Sequence, residues 1–339
     1  MTQNESLVDA SIVHQIDLQF YANGVVREEV GALNEDDAEI FALLLAALLA
    51  LPRNATPAQI DTALGPALMM SDRSYADVSR DLAAKMEDVV ETEAEYQAAL
   101  LAKSQPKAPD KLDTGATFGE MMAVPIIGMT IAETMRSLAE SRKATIRNTV
   151  QAGFVNGQTA EEIVRSLRGT RAANFTDGLF NRARIALETT VRTALSHAAE
   201  FTSAAFHALN SDIVRAVVWL SVLDGRTSSW CIARSGKRYT ADAAHRPIGH
   251  NYDWGAGPGR YHYNCRSTFA PLVAGEVPNS NRFADWLKKQ PAKVQDEVLG
   301  PTRGKMYRSG QIGVEGFLNN KGKLLTLEQL KAKNAGAPQ

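Results

Sequence analysis

The sequence predicts a mainly α (α+β) fold. Helical N-terminal and middle regions lead into a small, irregular, β-containing Cys/His module after residue 212. Three observations carry this. Apolar residues recur at spacings of three, four and seven through most of the first 209 positions, the period of a helix. Ala216–Leu223 (AVVWLSVL) is then β-branched and aromatic, the composition of a buried strand. Both cysteines, Cys231 and Cys265, and three of the six histidines, His245, His250 and His262, fall between Leu223 and Phe269, a stretch dense in glycine.

Composition narrows the class. A chain of 339 residues has room for two or three domains, and 45% hydrophobic with 22% charged residues is a globular balance. A net charge of −1 gives no global attraction to nucleic acid or anionic membrane, so such contacts must come from local patches. The longest apolar run, Ile40–Leu51, falls short of the ~20 residues of a membrane helix, so no membrane-spanning segment is expected. Residues 1–12 are polar and hold Glu5 and Asp9, unlike a signal peptide. Two cysteines are too few for a disulfide framework.

Residues 1–103 read as a helical N-terminal region. Ile12, Ile16, Phe20 and Val26 define the apolar face of a segment ending before Gly31. Asp36 and Asp37 then sit at the positive end of a helix carrying the 40–51 run. Thr56-Pro57, a cap followed by proline, starts a short helix. From Ser74, Val78, Leu82, Met86, Val89, Tyr96 and Leu100 keep helical spacing opposite a charged, solvated face. Residues 104–117, with Pro106, Pro109 and Gly115, read as a linker.

Residues 118–275 read as one domain, with helices over 131–209 and a sheet module over 213–275. Met135, Leu138, Arg142, Ile146 and Val150 mark the first helix, ended by Gly153 or Gly157. Thr159 and Glu162 form a capping box for a short helix that Gly169 stops. A helix over 178–209 carries a seam of mostly small residues, from Val191 to Leu209. Arg182, Arg184 and Arg192 near its start read as a solvated or salt-bridged end, with phosphate binding as the alternative. After the 216–223 strand, Asp224-Gly225 is a turn, and Thr227 or Ser228 caps a helical turn holding Cys231. Lys237–Thr240 and Ser267–Val273 read as two further strands. Residues 276–339 form a helical tail. It has helices near Phe283–Leu287, near Val294–Val298 and from Thr326, with a basic stretch at Arg303, Lys305 and Arg308.

Irregular loops bury little apolar surface, so something must hold the module together. Structural zinc takes four ligands from cysteine and histidine. His262-x-x-Cys265 can converge on one ion, with Cys231 as the third ligand and His245 or His250 as the fourth. The residues leave four readings open: a structural metal site, two buried thiols, a disulfide, or a nucleophilic Cys–His pair. Asp224, Asp242 and Asp253 are on hand as orienting carboxylates, but no spacing picks out a triad.

L-D-G-R-T-S-S-W-C, S-G-K-R-Y and Y-H-Y-N-C-R-S together resemble the Mu F-like phage head morphogenesis (minor capsid protein) family over about 130–275. Asp224, Arg226, Thr227, Cys231, Gly236, Lys237, Tyr239, His262, Asn264, Cys265 and Arg266 carry the signature. Ser228 and Ser267 stand where many members have further cysteines. The resemblance implies a structural role rather than an enzyme. It points to a low-copy virion component made in the bacterial host cytoplasm. Such a component sits in the procapsid interior near the portal, with portal, major capsid or scaffolding proteins as partners. Basic clusters at 142–147 and 303–308 offer non-specific phosphate contacts to packaged double-stranded DNA. The alternative is a metal-dependent nuclease or hydrolase using the Cys/His cluster, against which no His-Glu or paired-carboxylate motif lies in the cluster. A third reading is a plain helical scaffold with incidental cysteines.

Overall fold

The computed structural model describes residues 2–221, 227–273, 287–288, 291–311 and 328–330. They form a mainly helical protein with one small antiparallel sheet. Two compact units interleave along the chain. One comprises residues 1–19, 90–117 and 196–339, and the other 20–89 and 118–195. The end of the 104–117 segment falls on one boundary between units, at 117/118, and the other boundaries lie within α1, α2 and α6, each of which contributes to both units.

Helix α1 runs unbroken from Gln3 to Ala50, through Gly31 and past Asp36 and Asp37. The expected break is absent. A glycine costs a helix only about 1 kcal/mol relative to alanine, little against the burial of Val25, Val26, Leu33, Ile40 and Leu44 on the flanking turns. The expected inward face is also shifted. Ile12, Ile16 and Phe20 are exposed, Phe20 at 70%, while Leu7, Val8, Ser11 and Gln15 are buried. The polar pair is accommodated because Ser11 Oγ donates to the Leu7 carbonyl (2.9 Å) and Gln15 Nε2 to the Arg266 carbonyl (3.2 Å).

Helix α2, Pro57–Ala102, merges the two helices expected before and after Ser74. Thr56 caps it, with Gln59 reaching back to the Thr56 amide (2.9 Å). It continues through Pro66 because Leu64, Ala67 and Leu68 around it are buried with Ile40 and Leu44. Its charged stripe is solvated as expected, except that Lys85 turns to Glu28 (3.0 Å) and Glu29 (2.6 Å).

The segment read as a linker is a pinned strap. The Asp110 amide donates to Asn210 Oδ1 (2.6 Å), Asn210 Nδ2 returns a bond to the Asp110 carbonyl (3.1 Å), and Lys107 pairs with Asp212. Its last residues already belong to α3, Thr114–Ala123. Capping boxes at Thr130/Glu133 and Thr159/Glu162 start α4 (Ile131–Val155) and α5 (Ala160–Arg168). Gly153 stays inside α4, which closes at Asn156 and Gly157. Helix α6 spans Phe180–Leu209.

In the unit containing α4 and α5, Ile146, Val150, Ile163, Leu167 and Phe180 share a core with Ile40 and Leu64. The 142–147 cluster is not a free phosphate-binding surface. Arg142 is buried against Asp37, Lys143 pairs with Asp72 and Glu140, and Arg147 lies 3.6 Å from Asp61. Arg184 and Arg192 are salt-bridged, to Asp37 and Glu188.

The other unit carries the sheet, ordered β3-β2-β1-β4 and antiparallel throughout. Strand β1 is Ala216–Leu220, β2 Arg238–Tyr239, β3 Pro247–Ile248 and β4 Thr268–Leu272. Val218 pairs with Ala270, Trp219 with Phe269, and Val217 with both Pro271 and Tyr239. The two-residue β3 is too short to leave a sequence pattern. Between β1 and β2 lies α7, Ser229–Arg234. Asn4 of α1 clamps the end of β4, accepting from the Val273 amide (2.9 Å). Behind the sheet, a buried polar chain joins α1, α2 and α6. His14 bonds Glu93 (2.6 Å), Ser203 donates to Glu93 (2.6 Å), and Gln97 bonds Ser203 and His207.

In the tail, α8 (Ala292–Leu299) ends at Gly300 as expected, and Arg303, Lys305 and Arg308 lie on a further helix, α9 (Pro301–Arg308). Arg308 is tied to Asp296 (2.7 Å). Phe283, Trp286 and Thr326 lie outside the described residues, as do the signature residues Asp224 and Arg226. No described helix is long and apolar enough to cross a membrane.

Candidate metal centre

Ser228 is the N-cap of α7. Its Oγ accepts from the Cys231 amide (3.3 Å), which fixes Cys231 in the first helical turn. On the return before β4, the Cys265 amide donates to the His262 carbonyl (3.1 Å), and Asn264 takes φ 55° to make the turn. These two local features bring together residues 34 apart in sequence. Cys231 Sγ lies 3.7 Å from Cys265 Sγ and 3.2 Å from His262 Nε2, and all three atoms fall within 4.8 Å of one another. Both cysteines are buried and free.

The distances suit a tetrahedral ion. Bonds of about 2.3 Å to sulfur and about 2.0 Å to nitrogen give S···S edges near ~3.8 Å and S···N edges near ~3.5 Å. The sulfurs are far beyond the ~2.05 Å of a disulfide. The tautomer also suits. His262 Nδ1 faces the Tyr263 carbonyl at 2.9 Å and must carry the proton there, which leaves the Nε2 lone pair aimed at the cluster. Ser228 Oγ stands 2.8 Å from that same nitrogen. The group can hold a metal ion.

Electrostatics inside the cluster favour a thiolate. The Cys265 thiol donates toward Cys231 and pulls it down to about 7, against the effect of burial, with Ser228, Ser267 and Arg234 assisting. Cys265 is pushed up to about 12 by its Cys231 neighbour and by burial. Contact with Cys265 raises His262. One proton is thus shared unevenly between two sulfurs, a state that a divalent cation can displace.

His245 and His250 do not join the group. His250 Nε2 donates to the Arg238 carbonyl (2.8 Å) while its Nδ1 accepts from the Tyr252 amide (3.2 Å), so the backbone uses both nitrogens. His245 bonds the Thr240 carbonyl (3.1 Å) and stacks on Trp254 at 4.2 Å. Burial lowers the pKa of both, so they serve as neutral loop anchors. The nucleophilic reading also lacks its orienting acid among the described residues. Asp253 is taken by Arg234, and Asp242 by Thr240 and Arg246.

Other described signature residues build the shell. The Gly236 amide donates to the Trp219 carbonyl (2.8 Å) and the Trp219 amide to the Lys237 carbonyl (2.9 Å), locking α7 to β1. Lys237 Nζ lies over the Tyr252 ring, and Tyr239 is fully buried against Trp219 and Trp254. The Arg266 carbonyl receives Gln15. Thr227 directly precedes the Ser228 cap.

Sequence reasoning missed Arg234. It is buried at 2% and donates to the Asp253 carbonyl (2.8 Å), Asp253 Oδ1 (2.5 Å), the Trp230 carbonyl (3.2 Å) and Tyr261 Oη (3.0 Å). Its guanidinium also lies 4.6 Å from the Tyr261 ring centroid. An arginine on a single capped helical turn gives no sequence signal of burial. Ser267, which follows Arg266, bonds Ser221 (3.1 Å), and Ser221 in turn donates to the Cys231 carbonyl (2.8 Å). Gly259 closes the loop against α6 at φ 74°, where a Cβ would sit 2.5 Å from Glu200 Cγ and 2.8 Å from the Ser196 carbonyl oxygen.

Comparison with family models, curated proteins and solved structures returns no match.

Proposed function

We propose that this chain is a phage minor head protein. In this reading it is a non-enzymatic assembly component of the procapsid that works by binding portal, major capsid or scaffolding proteins. Its sheet module is folded around one zinc ion held by Cys231, His262 and Cys265. The observation that carries the proposal is the convergence of Cys231 with His262 and Cys265 at tetrahedral edge distances, in the midst of the other described signature residues. Zinc is preferred over harder cations because two thiolates and an imidazole are soft to borderline donors.

The metal would stabilise the module by joining α7 to the turn before β4, and the protein's work would lie in its helical surfaces. Contact with packaged DNA is proposed only through the 303–308 stretch, where Lys305 is exposed. It requires duplex binding that weakens steeply with salt. The test of the whole reading is co-sedimentation with portal rings and procapsids from the phage or prophage that encodes the chain. Stoichiometric, low-copy association supports it, and a chain that stays in the supernatant with both overturns it.

One observation favours the hydrolase reading. Among the described residues three strong protein ligands converge, as in catalytic zinc sites that leave a fourth position open. No carboxylate joins them among the described residues to act as a base. Cleavage of duplex or single-stranded DNA by the zinc-loaded chain, lost on Cys231→Ser, would establish that reading instead.

A further inference from the structure

In the unit formed by residues 20–89 and 118–195, one carboxylate serves two guanidinium groups. Asp37 Oδ1 accepts from Arg142 Nη2, and Asp37 Oδ2 from Arg184 Nη2 at 2.9 Å. Asp37 and Arg142 are buried to within a few per cent, and Arg184 is 16% exposed. Neither arginine is ion-paired to a second carboxylate among the described residues. The cluster therefore holds a net charge of about +1 largely out of water, an unfavourable arrangement unless it is neutralised. Burial pushes the Asp37 carboxyl up even against two neighbouring guanidiniums.

The unpaired polar atoms of the cluster are guanidinium N–H donors and two hydroxyls that both donate and accept. Arg142 Nε and Nη1, Arg184 Nε and the Tyr75 hydroxyl are buried without a hydrogen-bond partner. Ser71 Oγ, one turn earlier on the same face of α2, is in the same state. Aromatic rings cover the faces of Arg142, with Phe180 centred 4.3 Å and Tyr75 5.7 Å from its Cζ. Only the in-plane N–H edges remain for a ligand. A water molecule could accept from those edges but would leave the charge in place.

We propose that this cluster binds a monovalent inorganic anion of halide size, held by the free N–H edges of Arg142 and Arg184 and by the Tyr75 hydroxyl. The partly exposed Arg184 provides the route in. The ion balances the second guanidinium and so couples the stability of this helical unit to halide concentration.

The test is thermal unfolding of the full chain in sodium chloride or bromide against sodium gluconate at equal ionic strength. The expected result is a saturable rise of roughly 2–4 °C with halide. Arg184→Gln leaves a neutral Asp37–Arg142 pair that needs no anion, so the rise should vanish in that variant. Chloride-35 line broadening in the wild-type chain, relieved by bromide, gives a second readout should the variant fail to fold. Equal melting in chloride and gluconate, a rise that persists in Arg184→Gln, or the absence of bromide-sensitive broadening would overturn the proposal.

Discussion

The two ring nitrogens of His262 face different partners. Nδ1 lies 2.9 Å from the Tyr263 carbonyl, and Nε2 lies 3.2 Å from Cys231 Sγ. The first contact fixes the proton, and the second presents a lone pair to a sulfur that itself stands 3.7 Å from Cys265. His250 has the opposite arrangement, with both nitrogens engaged by backbone. Replacing His262 with alanine should therefore remove the thiolate-to-metal absorption of a cobalt-substituted chain, while His245→Ala and His250→Ala keep it. Cobalt spectra that survive in His262→Ala but not in His250→Ala would reverse this assignment.

Arg234 should matter to the module beyond its charge. Asp253 is mostly exposed, so the stability comes from the buried guanidinium's four donated bonds and its ring contacts. Arg234→Ala is expected to cost about 2–3 kcal/mol. Arg234→Lys should recover little of it, because an ammonium cannot span the same fork. Urea titration followed by tryptophan fluorescence measures both.

Gly259 answers two demands at once, a left-handed backbone and contact with the α6 backbone. Gly259→Ala should destabilise by at least about 2 kcal/mol, from strain plus overpacking. Gly157 has φ 67° and open space on the side where a Cβ would stand, with nothing within 4 Å, so Gly157→Ala should cost only about 1 kcal/mol. Similar melting temperatures for the two variants would refute the close approach.

His207 makes the fold sensitive to acid. Burial, helped by nearby His245, lowers its pKa from 6.5 to about 3. Between those values the unfolded chain binds a proton that the folded chain refuses. Its contribution is complete above about pH 6.5 and is lost as pH falls toward 3, at no more than about 1.4 kcal/mol per pH unit. His207→Gln retains a donor for Gln97, whose Oε1 lies 2.9 Å from His207 Nε2, and should flatten the decline between pH 7 and 5. Parallel declines in the two proteins would assign the acid sensitivity to other groups.

Local signals were legible wherever one residue satisfies a backbone group of its neighbours. Thr159/Glu162, Thr56-Pro57, the Ser228 cap and the strands around Val218 and Phe269 all stand where the pattern put them. The continuity of α1 through Gly31 and of α2 through Pro66 was not legible, because tertiary burial on either side outweighs a local penalty of a few kcal/mol. The choice between Ile16 and Gln15 as inward residue was hidden for a similar reason. It depends on an acceptor, the Arg266 carbonyl, contributed from 251 residues away. In the site, the His262/Cys265 spacing and Cys231 were readable. That His250 spends both nitrogens on backbone was not, since loop conformation sets those bonds.

The most direct test of the metal-folded module is the metal content of the purified full-length chain, by elemental analysis, alongside Cys231→Ser and Cys265→Ser. One zinc per wild-type chain is expected, lost in both variants together with the near-ultraviolet circular dichroism of the Trp219–Trp254 cluster packed around the site. A folded, fully reduced wild-type chain that takes up no zinc even when zinc is supplied would contradict a metal-folded module.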